Sequence, residues 1–287
     1  MVHRNEGTAF MFDTPLPQMQ RTRGAAGATV KARDGRTVLE GLRQQGSAKA
    51  FLPRVDSPDP EIVFLNTAGG LTGGDKLSYS VSVGARGRAT AATQTAERAY
   101  RAAQDVAQVE VRLRVGAGAE LHWLPQETIL FDGAALDRRT EVDLAPDARF
   151  LMVETVVLGR AAMGEAVAVL DFTDRRIIRR DGVPVMVEPL RFDTDALRRT
   201  GPAALADARA FSTVALFADD AEDALGPVRA ALDGAEIAAA ASAWEGKLVV
   251  RAMAGDAYPL RCLVARVLTT LRGAPLPRVR QVRGRIR

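Results

Sequence analysis

Apolar and polar residues alternate one by one along much of the first two thirds of the chain. In residues 109–115 the alternation is strict, with Val or Leu at every odd position and Glu or Arg between them, and residues 76–83 have a similar pattern. Successive side chains of a β-strand point to opposite faces, so these segments predict half-buried strands with one face in water. We therefore expect most of the chain up to about Glu188 to form sheets.

Two further segments, residues 150–158 and 183–187, are more continuously apolar. Such runs predict strands that are covered on both faces. Asp-Gly pairs favour tight turns between strands. They stand where the patterned segments end, at Asp34-Gly35, Asp132-Gly133 and Asp181-Gly182.

The pattern changes to a helical one in the last third. Residues 221–233 are rich in Ala and have carboxylates at their start, where these favour a helix N-terminus. Between Leu260 and Leu271 the apolar residues fall on one helical face, and Gly273 and Pro275 follow as stop signals. The predicted fold is mainly β, with about two helices in the C-terminal third.

No Pro/Ser-rich linker separates the two kinds of pattern. We therefore predict one domain over residues 1–287. Its parts would be a β-rich body at about 48–190, a helix-containing part at about 191–275 and a basic tail at 276–287. No run reaches the roughly 20 apolar residues of a membrane span, and residues 1–20 lack the pattern of a secretory signal. The single cysteine, Cys262, suits a reducing compartment. These features predict a cytoplasmic protein without a membrane partner.

Basic residues are concentrated at the two ends of the chain. Residues 1–50 carry eight Lys or Arg and four acidic residues, and residues 257–287 carry eight Arg and no acidic residue. Such ends can dock an acidic partner or can be solvated tails. An RNA-binding protein would interleave aromatic residues with the basic ones, but none stands between Arg261 and Arg287. A nucleic-acid-binding β protein is therefore the alternative, and nucleic acid is not the expected partner.

Residues for a tight metal site or for nucleophilic catalysis are scarce. The chain has only His3, His122 and Cys262 as imidazole or thiol ligands, and no G-x-S-x-G motif. Glu154 and Glu165 could be an acid and base pair, an ion pair with a nearby Arg that orders a turn, or a polar lining. We expect neither an enzyme nor a tightly bound cofactor.

The Gly-rich segment 66–76 is the most unusual stretch of the sequence. A phosphate-binding loop needs a Lys directly after its last Gly and a helix after that. Here Asp75 comes between Gly74 and Lys76, and a strand pattern follows. We therefore predict a tight corner between strands, which can also contact a partner.

Several irregular motifs between about residues 48 and 191, in this order, resemble the UreD (UreH) family of urease accessory proteins. They are Asn66-Thr67-Ala68-Gly69-Gly70-Leu71-Thr72-Gly73-Gly74-Asp75, Thr93-Gln94-Thr95-Ala96 with Tyr100-Arg101, Leu124-Pro125-Gln126-Glu127-Thr128-Ile129-Leu130-Phe131, Glu154 with Leu158-Gly159-Arg160 and Met163-Gly164-Glu165, and Arg180-Asp181-Gly182. The last third resembles the family mainly in pattern. Pro277-Arg278 is followed by Val279-Arg280-Gln281, where family members often have Trp soon afterwards.

The resemblance implies a many-stranded β body, coiled or layered, with two helices near the C-terminus. It also implies a non-catalytic scaffold that binds apo-urease and recruits UreF, which in turn recruits the GTPase UreG for nickel-centre assembly. Nickel would pass transiently through a hydrated passage, and the candidates to line it are Asp75, Glu154 and Glu165. The residues with a structural role in the motifs would be Gly69, Gly70, Gly73, Gly74, Gly159, Arg160 and Gly164.

Overall fold

A computed structural model describes residues 21–160, 163–199, 201 and 204–281. The strands are β1 Arg23–Arg33, β2 Arg36–Gly46, β3 Ala48–Phe51, β4 Glu61–Asn66, β5 Lys76–Val83, β6 Arg88–Thr93, β7 Glu97–Ala99, β8 Ala107–Val115, β9 Glu120–Leu124, β10 Thr128–Leu130, β11 Ala134–Leu144, β12 Arg149–Leu158, β13 Leu170–Arg180, β14 Val183–Asp193, β15 Ala210–Phe217, β16 Ala238–Trp244 and β17 Lys247–Ala254. The helices are α1 Thr194–Arg198, α2 Leu225–Leu232 and α3 Ala257–Arg272, and short 3-10 turns cover Ala221–Ala224 and Arg278–Arg280. Within these described ranges no helix is both long and apolar enough to cross a membrane.

The chain winds as a coil in which successive strands alternate between two layers. One layer has the order β2-β1-β5-β8-β11-β13-β14, and the other has β3-β4-β6-β9-β12-β15-β17-β16. Pairs in the middle of each layer are parallel, and pairs at the ends are antiparallel. The short strands β7 and β10 form a third side next to the end of β12. This mainly β, layered arrangement confirms the predicted fold class.

The alternation of residue types explains the layers. In β8 the odd-numbered residues from Ala107 to Val115 are buried, and the charged residues between them are exposed. Strand β12 is buried on both faces, as predicted. Phe150 and Met152 face the core between the layers, and Leu151 and Val153 face a second core under α3.

The expectation for residues 183–187 was wrong. Val183 and Val187 are 63% and 60% exposed. They lie in β14, which within the described residues hydrogen-bonds only to β13 and is the edge of its layer. A continuous apolar run has the same sequence pattern at an open edge as inside a covered sheet, so the pattern could not distinguish them.

The two predicted helices are present, and strands lie beyond the predicted β-rich range on both sides. Helix α3 begins after Asp256, whose carboxylate accepts from the Tyr258 N–H at 2.7 Å, and it ends at Gly273 with a left-handed φ of 58°. Helix α2 follows a 3-10 turn. Strands β1 and β2 precede residue 48, and β15, β16 and β17 follow residue 190, so the helices pack on the same sheet structure.

The Gly-rich segment is a tight corner between β4 and β5. Gly69, Gly70 and Gly74 have positive φ angles. Gly73 is not left-handed, but a Cβ there would lie 2.0 Å from the Gln104 carbonyl oxygen. The Asp75 carboxylate closes the corner, since it accepts from the Thr22 N–H at 2.7 Å and from the Thr72 N–H at 2.8 Å.

The crowding at Gly73 predicts that Gly73→Ala is far more harmful than Gly69→Ala. The added methyl group at Gly73 collides with backbone, which should lower the free energy of unfolding by about 3 kcal/mol. At Gly69 nothing lies within 4 Å of the new Cβ, so only the left-handed backbone costs about 1 kcal/mol. Denaturant unfolding of both variants measures this. Equal costs would contradict the assigned corner geometry.

Candidate functional site

A cluster of charged side chains is buried inside the coil. Arg138 on β11 lies directly opposite Asp174 on the parallel strand β13, so both side chains point inward. Arg138 donates from Nε to Asp174 Oδ1 at 3.1 Å and from Nη2 to Oδ2 at 2.6 Å. Arg176 also donates to Asp174 Oδ2. These three residues are at most 6% exposed, so the fold holds a fully desolvated ion cluster.

Glu154 faces this cluster from the other layer. Its Oε1 accepts from the Trp123 indole N–H at 3.1 Å. Its Oε2 lies 2.8 Å from Arg138 Nη1, but the alignment is not that of a hydrogen bond, and this buried oxygen has no hydrogen-bond partner within the described residues. Arg138 Nη1 donates instead to Thr128 Oγ1 at 2.9 Å. Glu154 Oε2 is therefore held beside the Arg138 guanidinium by charge, without a hydrogen bond from the described residues.

Two small cavities share part of their lining around Glu97, and one of them borders Glu154. The inner one, of about 40 Å³, has polar walls from Thr93, Glu97, Gln126, Thr128, Arg138 and Glu154 and apolar walls from Leu77, Tyr79, Val109, Val111, Trp123, Pro125 and Leu136. The outer one, of about 30 Å³, shares Tyr79, Thr93 and Glu97 with it and reaches Asn66 and Gly69 in the Gly-rich corner. Each has room for only one or two water molecules. Glu97 stands between them.

The carboxyl group of Glu97 binds a proton more tightly than an ordinary glutamate does. Burial raises the pKa of Glu97 to about 7, although hydrogen bonds from Asn66 and from the Arg98 backbone work against this rise. The Asn66 amide donates to Glu97 Oε1 at 3.3 Å. A carboxyl group of this kind exchanges its proton near neutral pH, so it can alternate between a neutral group and an anionic ligand.

The ion cluster continues from the cavities to the protein surface. Arg176 Nη1 donates to Glu188 Oε2 at 2.7 Å, and Arg251 Nη2 donates to Glu188 Oε1 at 2.6 Å. Burial opposes the charge of Asp174, but Arg138 and Arg176 outweigh it and hold the pKa of this carboxyl below its usual range. Charged groups in contact thus follow one another from Glu154, beside the inner cavity, through the Arg138–Asp174–Arg176 cluster to a groove of about 430 Å³ beside β14 and β16.

The structure does not bring the three carboxylates predicted from the sequence together. Glu154 lines the inner cavity. Asp75 closes the Gly-rich corner through backbone N–H groups. Glu165 lies in a surface turn, where it accepts from Arg160 Nε at 2.8 Å and from the Asp132 N–H at 3.2 Å. Whether any of them contacts nickel stays a prediction.

The turn around Glu165 matches the ion-pair alternative for this motif. Gly159 and Gly164 have φ angles of 69° and 67°. A Cβ at Gly159 would lie 3.0 Å from the Glu165 carbonyl oxygen. The Arg160 guanidinium also stacks 4.6 Å from the centre of the Phe131 ring. Residues 161 and 162 of this motif lie outside the described residues.

Sequence reasoning missed Glu97, Arg138, Asp174 and Arg176. The signal was a charged residue at a position where the alternation calls for an apolar one. In β11 the inward series contains Leu136, Arg138, Thr140 and Val142, and in β13 it contains Phe172, Asp174, Arg176 and Ile178. Glu97 lies in the three-residue strand β7, which is too short to show any pattern.

His122 uses both of its ring nitrogens within the fold. Its Nδ1 lies 2.8 Å from Arg272 Nη1 and its Nε2 lies 2.7 Å from Glu120 Oε1. Because Arg272 can only donate, Nδ1 accepts and the proton is on Nε2. Burial lowers the pKa of His122. No three His, Cys, Asp or Glu side chains in the described part of the chain are placed to hold a metal ion together, and His3 lies outside that part.

Comparison with known proteins gives a consistent result. A family model described as UreD urease accessory protein matches residues 22–281. The urease accessory protein UreD of Cereibacter sphaeroides (strain ATCC 17025 / ATH 2.4.3) is 59% identical over 268 residues, or 93% of this chain and 98% of that protein. The UreD proteins of Paracoccus denitrificans (strain Pd 1222) and Rhizobium etli (strain ATCC 51251 / DSM 11541 / JCM 21823 / NBRC 15573 / CFN 42) are 52% and 47% identical. They cover 95% and 91% of this chain, and 97% and 95% of their own lengths.

The buried ion cluster predicts a large stability loss for Asp174→Asn. Without this carboxylate two buried guanidinium groups lose their shared counter-ion, which should lower the free energy of unfolding by about 3–5 kcal/mol. Asp137→Asn is the matched control. Asp137 pairs with Arg175 across the same two strands at 3.0 Å, but on the exposed face, where such a pair is worth less than about 1 kcal/mol. Urea unfolding of both variants tests the difference, and similar losses would refute the assignment.

The raised pKa of Glu97 predicts a pH dependence of stability. Between its ordinary pKa of 4.5 and about 7 the folded protein retains a proton that the unfolded chain releases. The free energy of unfolding should therefore fall as pH rises through this range. Glu97→Gln cannot titrate, so at pH above 7 it should be more stable than the parent by up to about 3 kcal/mol. Glu110→Gln, on the exposed face of β8, should follow the parent curve, and identical curves for all three proteins would exclude a protonated Glu97.

Proposed function

The chain belongs to the UreD family of urease accessory proteins, and from this premise we propose that it is a non-catalytic scaffold for urease maturation. In this role it binds apo-urease and recruits UreF, and through UreF it recruits the GTPase UreG. The assembled complex then builds the nickel centre in a GTP-dependent step. Membership of the family is the observation that carries this proposal.

The positions of the two candidate acid and base residues support a scaffold rather than an enzyme. Glu154 is fixed inside the coil by Trp123, whereas Glu165 is fixed by Arg160 in a turn at the surface. A pair that acts on one substrate must reach the same reacting atoms, and these two side chains face different surroundings. The arrangement supports the ion-pair and lining interpretations of the sequence.

Two of the arginines in the basic C-terminal end make contacts within the fold. Arg280 is buried and donates to main-chain carbonyl groups, and Arg272 contacts His122 and Thr90. These guanidinium groups are therefore not free to follow a phosphate backbone, as a nucleic-acid-binding surface requires. This placement favours the scaffold over the nucleic-acid alternative.

We further propose that nickel, as transient cargo, passes through the interior cavities. Carboxylate oxygens such as those of Glu97 and Glu154 bind Ni²⁺ more weakly than His and Cys clusters do, so an ion held by them can move on. Glu97 can take up a proton when the ion leaves, because its pKa is about 7. Since the cavities hold only one or two waters each, the walls must move for an ion to pass.

Both the scaffold role and the nickel passage are tested by measuring urease activation when this protein is co-expressed with UreF, UreG and the urease subunits. Glu154→Gln should slow activation several-fold while the complex still elutes intact in size-exclusion chromatography, because the shape of the cavity wall is retained and one anionic ligand is lost. Glu165→Gln is the control at a surface carboxylate, and any loss of activation should follow its loss of thermal stability. Activation at the parent rate by Glu154→Gln would contradict the proposed nickel passage. Failure of the parent chain to join any complex would contradict the proposed scaffold role.

A further inference from the structure

The chain continues after α3 as a short segment that returns to the β body. This segment, residues 276–281, is called the strap here, and it contains the 3-10 turn Arg278–Arg280. Pro277 and Arg280 of the strap are buried, and Arg278 is exposed. The strap thus inserts one long cationic side chain into the body while its neighbour faces outward.

The strap holds the connection between β9 and β10. Arg280 Nε donates to the carbonyl oxygens of Leu124 and Pro125, each at 3.1 Å, and Nη2 also donates to Pro125 O. The Gln126 side-chain amide donates to Val279 O. These contacts fix residues 124–126 from the outside.

The same connection is a wall of the inner cavity. Pro125 and Gln126 line that cavity together with Glu97 and Glu154. A single stretch of chain therefore separates the cavity from the strap. Helix α3 supports it from the same side, since Arg261 Nη2 donates to Gln126 Oε1 at 3.4 Å.

Arg280 carries a buried charge without a counter-ion in contact. It is 5% exposed, and no carboxylate of the described residues lies within 4.0 Å of it. Burial lowers the pKa of Arg280 to about 10, partly offset by the more distant Glu127. Arg138, by contrast, is equally buried but contacts Asp174. A guanidinium group that has only carbonyl partners gains from exchanging them for a carboxylate.

We propose that the strap locks the wall of the inner cavity, and that an acidic segment of a partner protein releases the lock by offering Arg280 a carboxylate. This deepens the proposed passage and rests on it for its biological purpose. Residues 257–287 contain eight Arg and no acidic residue, and the exposed Arg278 gives an acidic segment its first contact. Once Arg280 leaves, the Leu124 and Pro125 carbonyl groups lose its hydrogen bonds, only the side-chain contacts of Gln126 remain on the outside, and the cavity opens beside α3.

Quenching of Trp123 fluorescence by acrylamide measures the lock directly. Trp123 lines the inner cavity and is 1% exposed, and the only other tryptophan, Trp244, is removed by Trp244→Phe. In this background Arg280→Gln should raise the quenching constant of Trp123 several-fold. Arg278→Gln, its exposed neighbour in the strap, should leave the constant unchanged. A folded Arg280→Gln protein with fully shielded Trp123 would overturn the proposal.

Circular dichroism and the melting temperature separate an opened wall from general unfolding. If Arg280→Gln does not fold, Arg280→Lys replaces it, since Lys retains the charge but cannot bond both carbonyl groups through a planar fork. Greater quenching in folded Arg280→Lys supports the lock, and unchanged quenching refutes it.

The partner's chemistry is tested on the intact strap with a glutamate oligopeptide. Its addition to the Trp244→Phe protein should increase quenching of Trp123, whereas a lysine oligopeptide should not. No change at any glutamate-peptide concentration would overturn release by an acidic segment. Because the assay contains neither nickel nor urease, its failure is distinct from that of the proposed function. If Arg280→Gln opens the inner cavity in the quenching assay but leaves urease activation unchanged, the result would count against the proposed nickel passage.

Discussion

The ion pair between Arg138 and Asp174 determines the character of the interior. It joins neighbouring parallel strands inside the coil, and it places the Arg138 guanidinium next to Glu154 from the opposite layer. The charged cluster places polar groups in the centre of a fold that hydrophobic burial otherwise holds together, and the proposed nickel passage depends on these groups.

Much of the local structure was predictable from the sequence, because alternation and helical spacing depend only on neighbouring residues. The strand β8 and the helix α3 are examples. The order of the strands could not be predicted from the sequence, since a pairing such as that of β10 with β12 depends on contacts between distant segments. The layered body was expected only through family resemblance.

The candidate site was predictable only in part. Glu154 stood out in its motif and does line the cavity. Asp75 and Glu165 stood out equally, but each accepts from backbone N–H groups of distant segments, which no local pattern can show. Arg138 and Asp174 were detectable as charges in the apolar phase of their strands. That these two residues form an ion pair is seen only when the coil places β11 beside β13.

The central claim is that nickel reaches urease through the cavities beside Glu97 and Glu154. Its most direct measurement is the nickel that apo-urease retains after incubation with UreF, UreG, GTP, Ni²⁺ and this protein, determined by elemental mass spectrometry after desalting. With the double variant Glu97→Gln/Glu154→Gln in a complex of normal composition, the account predicts much slower nickel delivery than with the parent protein. Delivery at the parent rate by that intact complex would contradict it.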